Sequence, residues 1–198
     1  MPTGANGGSR LGYWFITPIP PVPPPEPPVN PTPINNLADY IKVDYTFTNG
    51  LDLDTRTKVT VPSVQGDWCG WGRASQQSNV LYWGGDNTGT GVESVLLNIA
   101  NFRAGYPAST SIRVEFNCFW YSLYGSNGVT LTMTLWTGGT PVRSGYSWVN
   151  NSATATQVLA STSKDITLIT RSSASNGQPL GYIIYDVNTG VGSLDIYA

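Results

Sequence analysis

Eleven of the fifteen prolines fall within the first 33 residues, most densely in PIPPVPPPEPPVNPTP at 18–33. Each proline fixes φ and removes a backbone donor, so this stretch fits neither a helix interior nor the middle of a sheet. It is expected to run as polyproline II at ~3.1 Å per residue, roughly 50 Å in all. The break in composition divides the chain into an arm, residues 1–36, and a body, residues 37–198. Ahead of the tract, LGYWFITP gathers Leu11, Tyr13, Trp14, Phe15 and Ile16 into an apolar knot too short for a core of its own. Such a knot is expected to find a groove on a partner, with Pro20, Pro24 and Pro28 of the spacer lying along it. The tract also carries the PxxP spacing that SH3-like domains bind.

The body alternates with a period of two. Ile41, Val43, Tyr45 and Phe47 alternate with Lys42, Asp44 and Thr46 and stop at Asn49-Gly50, a strand with one buried face ending in a turn. RTKVTVP at 56–62 and NVLYW at 79–83 read as further strands, and VESVLLNIANF at 92–102 reads as a strand in preference to a helix. Ile112, Val114, Phe116, Cys118 and Trp120 share one face, and Val129, Leu131, Met133 and Leu135 share another. Asn127-Gly128 between those two runs predicts a hairpin. DITLIT at 165–170 is a further strand, and LGYIIYDV with VGSLDIY forms a closing hairpin about residues 188–190. About ten strands and no convincing amphipathic helix predict an all-β fold, an antiparallel β-sandwich of jelly-roll or Greek-key type. The absence of an internal repeat argues against a propeller or solenoid.

Charge narrows the function classes. Charged residues are 11% of the chain against the ~25% of ordinary soluble proteins, and the formal net charge is −2. With no Lys/Arg cluster, neither nucleic acid nor an anionic membrane is an expected partner. The first residues lack the apolar segment of a secretory signal, and synthesis in a cytoplasm is expected. Cys69 and Cys118 lack metal spacing and are expected to be buried thiols.

No histidine occurs anywhere in the chain. That removes His-dependent triads and His-containing zinc sites, and no P-loop, GxSxG or dinucleotide fingerprint is present. Catalysis, a cofactor and a metal are therefore not expected. Asp52 with Asp54, or Asp86 with Asn87, offer oxygen ligands for calcium, but neither spacing matches a known calcium loop, and Asx turns explain them as well. The aromatic residues carry more. GDWCGWGR at 67–73 sets Trp68 and Trp71 among glycines, and Trp83 opens GGDNTGTG. With Asp67, Arg73 and Asp86 these indoles compose a candidate glycan site, ring platforms beside oriented polar groups, but the favoured reading is that each indole is a lid over the end of the sandwich. Trp120, Trp136 and Trp148 fall in strand patterns, as core or intersubunit contacts.

YWGGDNTGTGVESVLLNIANF at 82–102 and FWYSLYGSNGVTLTMTLWTGGT at 119–140 resemble tailed-bacteriophage virion structural proteins, the small capsid-decorating and fibre-like β proteins. The resemblance implies a non-enzymatic protein of the virion surface, made in the host cytoplasm. It further implies attachment through the N-terminal arm to the major capsid protein or another virion component, and a homo-oligomer, with a trimer favoured. Capsid decoration is the expected role. A tail or neck fibre, or a receptor-binding module recognising carbohydrate, is the alternative.

Overall fold

The computed structural model describes residues 32–198 except 50, 64, 65, 78 and 124–127. The expected anchor residues Leu11 to Ile16 and Pro20, Pro24 and Pro28 lie outside the described residues. In chain order the strands are β1 (Thr32–Asn35), β2 (Tyr40–Phe47), β3 (Leu51–Val61), β4 (Cys69–Gly70), β5 (Ser75–Gln76), β6 (Leu81–Trp83) and β7 (Gly91–Asn98). After α1 (Ile99–Gly105) come β8 (Ser111–Leu123), β9 (Thr130–Thr137), β10 (Val142–Ser144), β11 (Ser147–Val149), β12 (Thr154–Ala160), β13 (Gln178–Asp186) and β14 (Val191–Ile196).

Two six-stranded antiparallel sheets face each other as a β-sandwich, in the orders β1-β14-β13-β8-β3-β4 and β12-β9-β2-β7-β6-β5; we call them the first and second sheet. The alternation read from the sequence is the alternation of burial. Along β2 every second residue is buried, and along β8 the set Ile112, Val114, Phe116, Cys118 and Trp120 is fully inside. The sheets meet through aromatic edges, Tyr45 against Phe116 at 6.0 Å and Phe47 against Trp120 at 5.8 Å. Each such ring contributes ~2–3 kcal/mol of burial plus a smaller term for its geometry. Cys69 and Cys118 are both free and buried.

Several local expectations are corrected. The runs on either side of Asn127-Gly128 are not a hairpin, since β8 lies in the first sheet and β9 in the second. β2 and β3, on either side of the expected turn at residues 49–50, also lie in different sheets, which that expectation left open. A two-residue turn signal marks a reversal, and an arch between layers satisfies it as well as a ladder does. VESVLLNIANF is a strand only to Asn98. There the Asn98 side chain accepts from Asn101 N at 2.9 Å, capping α1 with Ile99 and Phe102 buried beneath. DITLIT is not a ladder strand. Beyond Cys118, where pairing with β13 ends, it lies beside β8 in single contacts, Trp120 N to Leu168 O and Thr170 N to Trp120 O, both 2.9 Å. Finally, residues 32–35, counted with the arm on composition, pair with β14 as β1. The Gln157 side chain on β12 bonds Pro33 O, Asn35 N and Asn36 Nδ2 at 3.0–3.1 Å, closing the seam between the sheets.

Candidate functional site

A concavity of about 190 Å³ opens on the outer face of the first sheet and is lined by Asp52, Asp54, Trp71, Asp86, Tyr121, Arg171 and Ser173. Its floor is the start of β3 against the end of β8. A bulge between Leu51 and Leu53 places Asp52 at φ +63°, and such a bulge turns a side chain out of the regular pleat. Asp54, two residues on, occupies the outer face, where its residue is only 3% exposed.

Three tethers hold the walls. Trp71 sits at the tip of a tight turn in which Gly70 and Arg73 exchange main-chain bonds of 3.1 and 2.9 Å. Gly72 takes φ +72°, which a glycine adopts without steric cost, and the indole is left 46% exposed. The far wall, 171–175, is pinned by Arg56. That guanidinium is wholly buried and donates to Thr55 O, Ser173 O and Ser175 O at 2.9–3.1 Å, with its charge 5.0 Å from the Phe119 ring. The third tether is Glu93, which points from β7 into the space between the sheets. One carboxylate oxygen accepts from Asn87 N at 2.9 Å; the other accepts from Thr55 Oγ1 at 2.8 Å and Trp83 Nε1 at 3.2 Å. Glu93 therefore fixes both the loop that carries Asp86 and the strand that carries Asp54.

The pocket is acidic. Burial pushes the Asp54 carboxyl up to about 6, against the pull of Arg56, whose ion pair at 3.8 Å is longer than a hydrogen bond. Asp52 is raised by burial and by Asp86, and Asp86 is raised by burial, offset by the Trp71 indole. Behind them burial lifts Glu93 to about 8, although its three donors favour the ionised form. Asp54 Oδ1 and Asp86 Oδ1 are both buried without a hydrogen-bond partner. The pocket thus combines an exposed ring, Tyr121, the guanidinium of Arg171 and acceptors lacking donors, a set suited to a polyhydroxylated molecule. Among the described residues no three His, Cys, Asp or Glu side chains are placed to hold a metal ion.

Of the six residues of the candidate glycan site, the fold brings Trp71 and Asp86 together in this pocket. Asp67 and Arg73 instead pair with each other at 2.8 Å, and Trp68 is half-buried beside them, its amide bonded to Asp67. Trp83 is partly buried and committed to Glu93, so it is a lid rather than a platform. Asp52 and Asp54, weighed as calcium ligands, join the pocket. Tyr121, Arg171 and Ser173 carried no sequence signal, because they reach it from two segments distant along the chain. Comparison with protein-family models, curated proteins and solved structures finds no match.

Proposed function

We propose that this protein is a non-enzymatic binding module that recognises a saccharide unit in the Trp71 pocket, the carbohydrate-recognising head of a virion surface protein. The observation that carries the reading is an exposed indole beside two buried carboxylate oxygens that have no donor. A sugar supplies hydroxyl donors for those oxygens and a C–H face for the ring, and Arg171 supplies a donor for ring or hydroxyl oxygens. A volume of about 190 Å³ suits one sugar residue rather than a chain.

Glycan-array binding followed by calorimetry tests this. Trp71→Ala should lower affinity at least tenfold while leaving the melting temperature within a few degrees, because the ring is exposed. Unchanged binding by that variant, or no binding by the parent protein to any glycan, would overturn the reading. Turnover of chromogenic glycosides would replace it with an enzymatic one, since perturbed carboxyls in a cleft are also what a hydrolase needs.

A capsid-decorating role, with the arm holding the major capsid protein or another virion component, is favoured by how the chain enters the body. β1 is paired to β14 and locked by Gln157, so load on the arm passes into the sandwich rather than into a loop. Particles assembled with protein lacking residues 1–31 should fail to retain it; retention would remove the arm from the attachment.

A further inference from the structure

The Trp71 pocket carries more negative charge than a neutral sugar calls for. Asp52, Asp54 and Asp86 all line it, and Arg171 is the one cationic residue among its described lining. Strand pairing explains how two of the carboxylates come there. β3 and β8 are in register at Leu53–Trp120 and again at Leu51–Leu123, so the bulge between those pairs sets Asp52 opposite Tyr121 and Ser122. Asp54 follows, 3% exposed, and its Oδ1 accepts no hydrogen bond, the Arg56 guanidinium standing 3.8 Å away. Asp86 enters from the loop before β7 and presents a second buried Oδ1 without a donor. Burial raises Asp52 and Asp54, and repulsion between like charges adds to it, Asp86 acting on Asp52 and both of these on Asp54.

We propose that the saccharide unit taken by this pocket is an amino sugar with a free amine, its ammonium held among Asp52, Asp54 and Asp86 and its oxygens turned to Arg171. The assignment rests on the saccharide reading above and names the class of sugar. A hydroxyl gives a carboxylate one hydrogen bond and no charge, whereas an alkylammonium gives three donors and a positive charge that relieves the repulsion. The exposed rings of Trp71 and Tyr121 attract a cation as well. Among the described residues no three carboxyls converge on the position of a metal ion. The cation that fits is therefore an organic one, whose N–H groups reach outward to separate acceptors. Arg171 selects further, because its guanidinium repels a simple amine but donates to the hydroxyl and ring oxygens that a sugar carries beside its amine.

Calorimetry on the full-length protein near neutral pH and at low ionic strength compares methyl glycosides in matched sets, each with a free amine, a hydroxyl or an acetamide at the second carbon, in the gluco, galacto and manno series. In the series that binds, the amine should be favoured by about tenfold or more over both of its counterparts. Asp52→Asn should cut that ratio by about threefold or more, and asparagine tolerates the left-handed φ of +63°, so the fold is kept. Equal affinity within a set, or preference for the hydroxyl or acetamide, overturns the amino-sugar assignment and leaves saccharide recognition standing. No binding in any set also overturns the assignment, and the glycan array then decides the saccharide reading by itself. An unchanged ratio in the Asp52 variant takes the ammonium away from the carboxylates and overturns it too. So does Nα-acetyl-lysine amide bound as tightly as the amino sugar, which would mean that the pocket takes the ammonium of a protein side chain.

Discussion

Glu93 and Asp54 show how a single buried carboxyl shapes this site. Glu93 is raised to about 8 in the fold, against an ordinary value of 4.5. Near pH 6 the folded chain therefore holds a proton that the unfolded chain has released. The stability this contributes is complete below about 4.5 and is lost as pH rises through about 8. Asp54, raised to about 6, acts with the same sign over a lower window. At ~1.4 kcal/mol per pKa unit the Glu93 swing approaches about 5 kcal/mol. The melting temperature should therefore fall between pH 5 and pH 8.5, and Glu93→Gln should flatten the upper part of that fall; a melting temperature that rises over this range would show that Glu93 is ionised in the fold. Arg56→Ala should be costlier, by about 3–5 kcal/mol in denaturant unfolding, since it strands the Asp54 carboxylate and frees the Ser173–Ser175 wall. None of this was legible in the sequence. Glu93 stands in VESVLLN with nothing to mark it as inward-facing, and Arg56 looks like any exposed cation in an alternating strand. Trp71 and Asp86, which share the pocket, were singled out in the sequence as a tryptophan between glycines and an aspartate in a glycine loop, but a lid over the sandwich and an Asx turn accounted for them as well.

At the level of elements, the period-two pattern gave strand existence and facing, whereas partner choice was hidden. The same chemistry, Asn-Gly or Asn-Thr-Gly between apolar runs, stands in a true hairpin at β13–β14 and between strands of different sheets at β2–β3 and β8–β9. What separates them is whether the following strand's buried face looks to the same side, and that is a property of the packed sandwich. The real hairpin also has a tertiary role. Gly190, at φ +76°, presses on the main chain entering β2, where an added Cβ would lie 2.5 Å from Asn36 C and Leu37 N. Gly190→Ala should therefore cost about 2 kcal/mol or more, through both the left-handed conformation and the clash. The same entry is held by Tyr185, whose hydroxyl accepts from Ala38 N at 2.8 Å and donates to Asn36 O at 2.9 Å. Tyr185→Phe should cost about 1–3 kcal/mol, because it leaves a buried amide without an acceptor. Urea unfolding of both variants reads these values, and a loss below a few tenths of a kcal/mol in either would show that the entry segment is not tied down there.

Across the whole molecule, the question is where the arm ends and the body begins. Composition puts the border after residue 36, since proline density falls there. Pairing puts it before Thr32, because a proline at a sheet edge needs no partner for its missing donor. Pro33 meets that condition in β1, at the outer edge of the first sheet, where its carbonyl still accepts from Gln157. The two borders differ in consequence. Removing residues 1–31 keeps β1 and its bonds to Gln157, so the sandwich should unfold cooperatively with little loss of stability. Removing residues 1–36 strips the edge strand, uncovers β14 and Leu194, and deletes the Asn36 carbonyl that receives Tyr185. Several kcal/mol should go with it, along with a tendency to associate through the bare β14 edge. Thermal melts and sedimentation of the two truncated proteins decide the matter. Equal losses would place the border where proline density puts it, and would leave β1 without the anchoring role that links the arm to the head.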